Sequence, residues 1–304
     1  MPVSNRHILE QGAALGALGR VALRSVEQQL LGKRRSRKAP VVPGPLLVVT
    51  LPKRSDALVR AYIENVGGEP GAYRGVLPPH FFPQWAFAVA SRVLEGVPYP
   101  MARVLNVGCN FEVNKPLPAN EPLTISARLQ EIDDDGRRAV LTTRVVTFTP
   151  SAPEALVAEM VAMVPLKRDK RAGEKKSNGA AKKESANVPD DAELLTTFDV
   201  GAHAGLDFAK LTGDFNPIHW IPQAARASGF PSVILHGFGT MARAIEGLNQ
   251  SAFHGDPQQL KKWSCRFTKP LVLPAKANLY RKGQEVFVGA AKGGPAYLVG
   301  HYET

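Results

Sequence analysis

The feature that most constrains the fold is a pattern that occurs twice along the chain. The segments CNFEVNKPLP (109–118) and CRFTKPLVLP (265–274) both begin with cysteine and both contain Lys-Pro-Leu. Upstream, AYIENVGG (61–68) matches DFAKLTGD (207–214) in position. The two spacings differ by about ten residues, which we assign to an insertion in the second copy. Such self-similarity predicts that one structural unit is built twice.

Each copy combines helices with a meander of strands. In the first copy, apolar spacing predicts a helix over 56–68 and a long apolar helix from about Pro83 within 73–96. Asp135-Gly136 is a strong hairpin signal. Three alternating apolar runs complete each copy, at 123–132, 137–148 and 154–166 in the first and at KANLYRKG, QEVFVGAA and AYLVGHYE in the second. We therefore predict an α+β protein in which one helix is backed by an antiparallel sheet, twice over.

The positive charge of the chain lies in two short segments. The net charge is +11, of which residues 33–38 carry +5 and residues 167–184 carry another +5, so +1 is left for everything else. The folded parts are nearly neutral, and we expect no nucleic-acid partner. The favoured interpretation of both segments is a solubilising role. The alternative is attraction of an acidic partner such as an acyl carrier protein, CoA phosphates or an anionic membrane surface.

Length and composition bound the domain organisation and the compartment. At 304 residues the chain has room for two domains. Two cysteines without metal-type spacing indicate a reducing compartment, and we predict a cytoplasmic location. No apolar run approaches the roughly 20 residues that span a bilayer, so no integral membrane segment is expected. The predicted boundaries are a helical extension with a basic tail (1–40), a first domain (41–166), a charged flexible linker (167–190) and a second domain (191–304).

The stretch GDFNPIH (213–219) places an acid, an amide and an imidazole close together. Asn216-Pro217 favours a turn, and the proline disfavours helix at the residue before it. We therefore expect Asp214 and His219 on an extended loop. Asp214 can orient or deprotonate a water, and His219 can give or take a proton near neutral pH. Taken singly, each residue also has a structural explanation: a cap, a turn or a core histidine.

A second part of the pattern lies 18 residues after His219, at His236-Gly237. Apolar residues have helical spacing from Ile234 onward, so Gly237 is predicted near the start of a helix. Backbone N–H groups at a helix start are unpaired and carry positive dipole. Such groups suit the oxygen of a thioester that becomes an enolate. The stretch therefore offers a base, an acid and an oxyanion site.

The pattern from Phe208 to Gly237 resembles the MaoC-like, (R)-specific enoyl-CoA hydratases and 3-hydroxyacyl-thioester dehydratases of the hot-dog fold. The matching residues are Phe-Ala-x-Leu-Thr-Gly-Asp-x-Asn-Pro-x-His, a Gly-Phe segment and then His-Gly. The resemblance implies a double hot-dog, with each sheet wrapped around a long central helix. The first domain (41–166) would be degenerate and the second (191–304) catalytic.

The resemblance also implies roles for the site residues. Asp214 and His219 would share a catalytic water, Asn216 would support their geometry, and the Gly237 N–H next to His236 would bind the thioester carbonyl. The implied reaction is reversible hydration of a trans-2-enoyl thioester of CoA or acyl carrier protein to the (3R)-hydroxyacyl thioester. It needs no metal and no cofactor beyond the carrier of the substrate. A non-catalytic acyl-thioester binding protein and a hot-dog thioesterase stay open as alternatives.

The first copy lacks the acid and the base. Position by position, Gly68 falls where Asp214 falls, and Tyr73 falls where His219 falls. We expect one chain to act as a pseudo-dimeric monomer, with a homodimer as the alternative. Four bulky residues of the first copy are candidates for lining an acyl tunnel, although filling the core is the favoured role: Phe81, Phe82, Trp85 and Phe87.

Overall fold

The protein is built from twelve strands and five α-helices within the residues that the structure describes. The computed structural model describes residues 2–12, 16, 40–101, 104–166 and 186–304. The first half contributes β1 (Leu47–Leu51), α1 (Asp56–Asn65), β2 (Val76–Leu77), α2 (Pro83–Val93), β3 (Leu105–Val113), β4 (Leu117–Pro118), β5 (Leu123–Asp134), β6 (Arg138–Phe148) and β7 (Leu156–Pro165). The second half contributes β8 (Glu193–Val200), α3 (Ala204–Thr212), α4 (Pro222–Ala227), α5 (Gly237–Ser251), β9 (Lys262–Phe267), β10 (Ala275–Lys282), β11 (Glu285–Gly289) and β12 (Ala296–Glu303).

Ten of these strands form one antiparallel sheet with mirrored halves. Its order is β1-β5-β6-β7-β3-β9-β12-β11-β10-β8, so each strand of the first half has a counterpart at the same distance from the centre. The halves meet where β3 pairs with β9, and Cys109 lies directly opposite Cys265. Both cysteines are free and buried, with their sulfurs 3.9 Å apart. The predicted duplication is therefore confirmed, and the two cysteines mark its local two-fold axis.

Each half of the sheet wraps around its own central helix. Helix α2 packs against β1, β5 and β6, and α5 packs against β8, β11 and β12. The Trp85 indole donates a hydrogen bond to the Thr147 hydroxyl at 3.0 Å, which fixes α2 to β6. One core runs through both halves and includes Phe82 of the first and Phe238 of the second. The predicted double hot-dog, an α+β fold, is confirmed. No helix among the described residues is long and apolar enough to cross a membrane.

Two helices are shorter than the apolar pattern predicted, for the same backbone reason. The helix predicted over 56–68 ends at Asn65, because Gly67 has φ +86°. The apolar helix of the first half ends at Val93 after 11 residues, because Gly96 has φ +95°. Positive φ is incompatible with a right-handed helix. The Asp135-Gly136 hairpin is found as predicted, with Gly136 at φ +75°.

The N-terminal extension begins with a 3-10 helix over Asn5–Gln11, capped by the Ser4 hydroxyl. This helix packs on α3, and the side chains of His7 and Gln11 are buried. Residue 1 and residues 13–15 and 17–39 of the extension lie outside the described residues. So do residues 167–185 of the predicted linker.

The local two-fold relates the ends of α1 and α3. Helix α3 ends at Gly213 with φ +82°, and the corresponding glycine after α1 is Gly67 with φ +86°. The next residue is Asp214 in the second half and Gly68 in the first. Glu246 of α5 fills the space beside Gly68, because a Cβ added there would overlap the Glu246 carboxylate. A carboxylate from the second half thus lies where the first half has no acid of its own.

Replacing Gly68 by alanine is expected to lower the free energy of unfolding by about 1–3 kcal/mol, the usual effect of overpacking a core. The added methyl would displace Glu246 from a buried site, where it is 2% exposed. Gly71→Ala is the matched control, because the nearest atom to its added Cβ would be 3.8 Å away. Urea unfolding measures both. Equal stability of the two variants would show that Glu246 moves aside freely.

Candidate active site

Asp214 follows the left-handed turn that ends α3. The Gly213 N–H closes that turn by donating to the Ala209 carbonyl at 2.8 Å. The Asp214 carboxylate is 6% exposed and accepts the Asn216 backbone N–H at 3.3 Å. The chain therefore leaves the helix with the carboxylate turned into the protein, because glycine permits the change of direction.

His219 closes a single 3-10 turn, Pro217–His219, and does not lie on a fully extended loop. Asn216 itself is extended, as the following proline predicted, and its side chain caps the turn by accepting the Ile218 N–H. The His219 Nδ1 lies 2.8 Å from the Ile234 carbonyl oxygen. A carbonyl can only accept, so Nδ1 carries the hydrogen and Nε2 is left as an acceptor in the neutral ring.

His236 and Gly237 lie at the start of α5, as predicted. Helix α5 begins at Gly237, and His236 is the residue that precedes it. The His236 ring stacks on His219 at 3.6 Å between centroids, and its Nε2 lies 2.9 Å from the Asp214 carbonyl oxygen. A side chain at Gly237 would meet the Phe267 ring. Glycine therefore lets that ring pack on the first turn of the helix.

Burial controls the protonation of the three ionisable groups. Burial raises the pKa of Asp214, against the opposing charge of His219 and the Asn216 N–H. Burial lowers the pKa of His219, against the opposing charge of Asp214. The pKa of His236 is lowered well below its ordinary value, by burial first and then by the charges of His219 and Arg243. Both imidazoles are accordingly neutral at neutral pH.

The three side chains form a group of possible metal ligands. One ligand atom from each of Asp214, His219 and His236 lies within 4.8 Å of the other two. Their hydrogen bonds already engage His219 Nδ1 and His236 Nε2 with backbone carbonyls. Besides a metal ion, the group is suited to holding a small polar molecule between the Asp214 carboxylate and the His219 imidazole.

Two residues support the backbone of the site, and no pattern in the sequence marked either of them. The first is Gly205 in α3, where an added Cβ would overlap the His219 carbonyl oxygen. The second is Gln11 in the N-terminal 3-10 helix. Its side-chain amide donates to the carbonyls of Lys210 and Leu211 at 3.3 and 3.2 Å, one turn before Asp214. Gln11 in turn accepts a hydrogen bond from Gln84 of α2 at 3.0 Å. The backbone before Asp214 is thus held from outside its own half, and the backbone of His219 is held by Gly205 within it.

The four acyl-tunnel candidates differ in position. Phe81, Phe82 and Trp85 are at most 1% exposed and belong to the common core. Phe87 is only partly buried, and its ring contacts Phe238 at 6.5 Å between centroids. Phe238 follows Gly237 and is also contacted by Phe82, at 5.9 Å between centroids, so Phe82 and Phe87 both pack toward the start of α5 and only Phe87 is partly exposed. The role of these residues in a tunnel stays a prediction.

A second buried polar cluster lies where the first half would carry its own site. The Tyr73 hydroxyl donates to Glu246 at 2.7 Å and lies 3.0 Å from the His80 ring. Tyr62 contacts the other ring nitrogen of His80 at 3.0 Å, and Asn249 donates to Glu246 at 3.0 Å. Burial alone would raise the pKa of Glu246, but these hydrogen bonds and the charge of His80 hold it below the ordinary value. The cluster joins the two halves, and no local sequence pattern predicted it.

Comparison with known structures identifies the class of fold. A crystal structure of HtdX from Mycobacterium tuberculosis matches 85% of this chain and 99% of its own length, with a TM-score of 0.66 and 20% identity. Another M. tuberculosis protein, described as having a double hot-dog fold, matches 86% of this chain with a TM-score of 0.56 and 13% identity. The chain is therefore a double hot-dog protein.

Comparison of sequences identifies the domain that carries the site. Residues 196–286, which lie in the second half, match the model of the MaoC like domain family. The chain is 27% identical over 184 residues to the peroxisomal enoyl-CoA hydratase 2 of Arabidopsis thaliana. It is 44% identical over 73 residues to 3-hydroxyacyl-thioester dehydratase X of M. tuberculosis. These matches span 58% and 24% of the relatives' own lengths, and 57% and 24% of this chain.

Gly205→Ala is expected to displace His219 and, if His219 takes part in catalysis, to lower turnover by about 10²-fold, the effect of misplacing a catalytic group by roughly 1 Å. The displacement follows because the new methyl would collide with the backbone of His219. Gly201→Ala, where an added Cβ meets nothing within 4 Å, is the control. Steady-state kinetics with crotonyl-CoA compares the two. Full activity in Gly205→Ala would mean that His219 does not depend on this contact.

Proposed function

We propose that the protein catalyses the reversible hydration of a trans-2-enoyl thioester to the (3R)-hydroxyacyl thioester. The observation that carries this proposal is the placement of the Asp214 carboxylate and the His219 imidazole within 4.8 Å, next to the first residue of α5. The relatives named above as an enoyl-CoA hydratase and a 3-hydroxyacyl-thioester dehydratase support this reaction class. The (3R) configuration follows from resemblance to the MaoC-like hydratases.

The two side chains can bind one water between them. His219 Nε2 accepts one hydrogen of the water, and the Asp214 carboxylate accepts the other. As the water oxygen bonds to C3, its proton passes to His219 Nε2 and the C2–C3 π electrons move toward the thioester carbonyl. His219 then returns that proton to C2 on the same face. One water is consumed, and dehydration uses the same steps in reverse.

The negative charge that develops on the thioester oxygen requires a hydrogen-bond donor. The Gly237 N–H is the first of α5, where backbone donors have no helical acceptor and the helix dipole is positive. Oxyanion donors of this kind are commonly worth about 10²–10³ in turnover. Arg243, a buried cation on the same helix, donates to the carbonyls of Gly239 and Asn65 and helps to keep His236 neutral. No metal or redox cofactor takes part in the proposed steps.

The substrate carrier and the assembly belong to the same proposal. We propose a CoA or acyl-carrier-protein thioester as substrate, and a single chain as the minimal active unit, because the two halves of the sheet supply both hot-dog units. The cytoplasmic location stays a prediction, since relatives of the chain include proteins named peroxisomal.

Asp214→Asn and His219→Gln are each expected to lower turnover of crotonyl-CoA by about 10²–10⁴-fold, because each removes a group that holds or moves the proton. Loss of ultraviolet absorbance of the conjugated thioester is the measurement. Asp199→Asn and His203→Gln, at exposed positions, are the matched controls. Binding of acyl-CoA without any absorbance change would make the protein a non-catalytic binder, and release of free CoA would make it a thioesterase.

The acid limb of the pH profile is expected to lie above pH 3.8, the ordinary pKa of an aspartate, because the Asp214 carboxylate is needed to hold the water. His219 has a lowered pKa, so its neutral form persists as pH falls below 6.5. Asp214 has a raised pKa, so its carboxylate is lost at a pH above 3.8. The dependence of kcat/KM on pH, measured with crotonyl-CoA, tests the direction of these two pKa shifts. An inflection at or below 3.8 would contradict it.

Phe87→Ala is expected to change the preferred acyl chain length while leaving crotonyl-CoA turnover nearly unchanged. If Phe87 lines the acyl path, each additional buried methylene adds roughly 0.8 kcal/mol of binding, so kcat/KM should rise with chain length up to a limit that this variant moves. Phe253→Ala is the control, because its ring packs on Tyr302 in the second half. A parallel loss at all chain lengths would assign Phe87 to the core alone.

A further inference from the structure

An open cleft lies in the first half, at the position that the two-fold axis relates to the active site. Its empty volume is about 500 Å³, a figure that includes open solvent at the mouth. Tyr73 and Pro79 are buried residues of its lining, and we call it the first-half cleft. Aliphatic side chains from both halves form its walls: Val76, Leu77, Val113, Leu117, Leu156 and Leu260.

Strand pairing establishes the equivalence of the two positions. Val76 pairs with Pro118 in the first half, and Ile234 pairs with Val272 in the second. Both partners follow a Lys-Pro-Leu segment at the same distance. Pro79 lies three residues after Val76, and Gly237 lies three residues after Ile234. Pro79 therefore corresponds to Gly237, the first residue of α5. The first-half cleft is therefore the counterpart of the space in front of the catalytic residues.

The first-half cleft cannot perform the proposed chemistry. Proline has no N–H, so Pro79 supplies no oxyanion donor. The Tyr73 hydroxyl, at the position of His219, donates its hydrogen to Glu246 at 2.7 Å. Gly68 has no side chain where Asp214 has its carboxylate. A ligand in the cleft would be held without being changed.

The lining nevertheless has the chemistry of an acyl binding site. Its walls are aliphatic, and its exposed mouth carries the ammonium groups of Lys115 and Lys261. No acidic side chain lines the cleft. Within the part of the chain that the structure describes, neither lysine forms an ion pair with a carboxylate, and Lys261 Nζ donates only to the Gln258 carbonyl at 2.9 Å. An apolar chain with an anionic head matches these features.

We propose that the first-half cleft is a second, non-catalytic site for an acyl chain with an anionic head, and that the occupant is an acyl-CoA thioester. The choice of a thioester over a free fatty acid rests on the proposed function, because the cleft is the counterpart of the site that takes the substrate. The acyl chain lies along the aliphatic walls, and the CoA phosphates face Lys115 and Lys261.

Isothermal titration calorimetry with decanoyl-CoA tests this proposal, because a saturated acyl group has no double bond to hydrate. The wild-type chain is expected to bind two equivalents. Val76→Trp, a half-buried position on the wall, should fill the cleft and leave one equivalent. The double variant K115E/K261E should weaken the second site by about tenfold or more, because it replaces two favourable charges by two repulsive ones. K276E/K292E makes the same charge change at exposed positions outside the lining and should keep two equivalents.

The outcomes separate this site from the catalytic one. One equivalent in the wild-type chain, or two unweakened equivalents in both cleft variants, would overturn the proposal. Decanoate filling the cleft in place of decanoyl-CoA would overturn the thioester assignment. Crotonyl-CoA turnover should be retained in Val76→Trp. Two equivalents in a chain that never hydrates crotonyl-CoA would refute the proposed function alone, and one equivalent in an active chain would refute this inference alone.

Discussion

The candidate site depends on holding one carboxyl group and two imidazoles close together and away from bulk water. Removing charges from water is unfavourable, so burial favours the neutral forms of Asp214, His219 and His236. Each imidazole is oriented by a backbone carbonyl, that of Ile234 for His219 and that of Asp214 for His236. A ring oriented by the backbone keeps its tautomer, because the carbonyl can only accept. The site therefore requires the backbone on either side of it to be placed accurately, to within about 0.5 Å.

That requirement explains which features the sequence could predict. The matching segments 61–68 and 207–214, the two Lys-Pro-Leu segments and the apolar spacing from Ile234 are local patterns, and they predicted the two halves, the sheet and the start of α5. Gly205 and Gln11 act on residues distant in the chain, and nothing beside them in the sequence marks that contact. Helix ends at Asn65 and Val93 were predicted too late, because apolar spacing continued past residues whose glycine neighbours end the helix.

The two halves of the sheet are related by a local two-fold axis, but only the second half carries the acid and the base. In a dimer of identical chains, any residue that filled one site would fill both. Covalent linkage of the two halves removes that coupling. Helix α5 can therefore carry Gly237 at one end and, further along, Glu246, whose carboxylate lies beside Gly68, where the first half has no acid. The carboxylate beside Gly68 is held by Tyr73, His80 and Asn249. The position that lost its proton chemistry thus became a polar contact between the halves.

The pairing of β3 with β9 also has a consequence for how the chain acquires its structure. Cys109 and Cys265 are 156 residues apart, whereas neighbouring strands such as β5 and β6 or β11 and β12 are joined by short connections. Closing a long loop costs conformational entropy before its contacts can repay it, so local hairpins form ahead of distant pairs. We expect each half to gather its own strands first and the central ladder to close afterwards. Gln11 and Gln84 can brace α3 only after that step, so secondary structure should recover during refolding before turnover does.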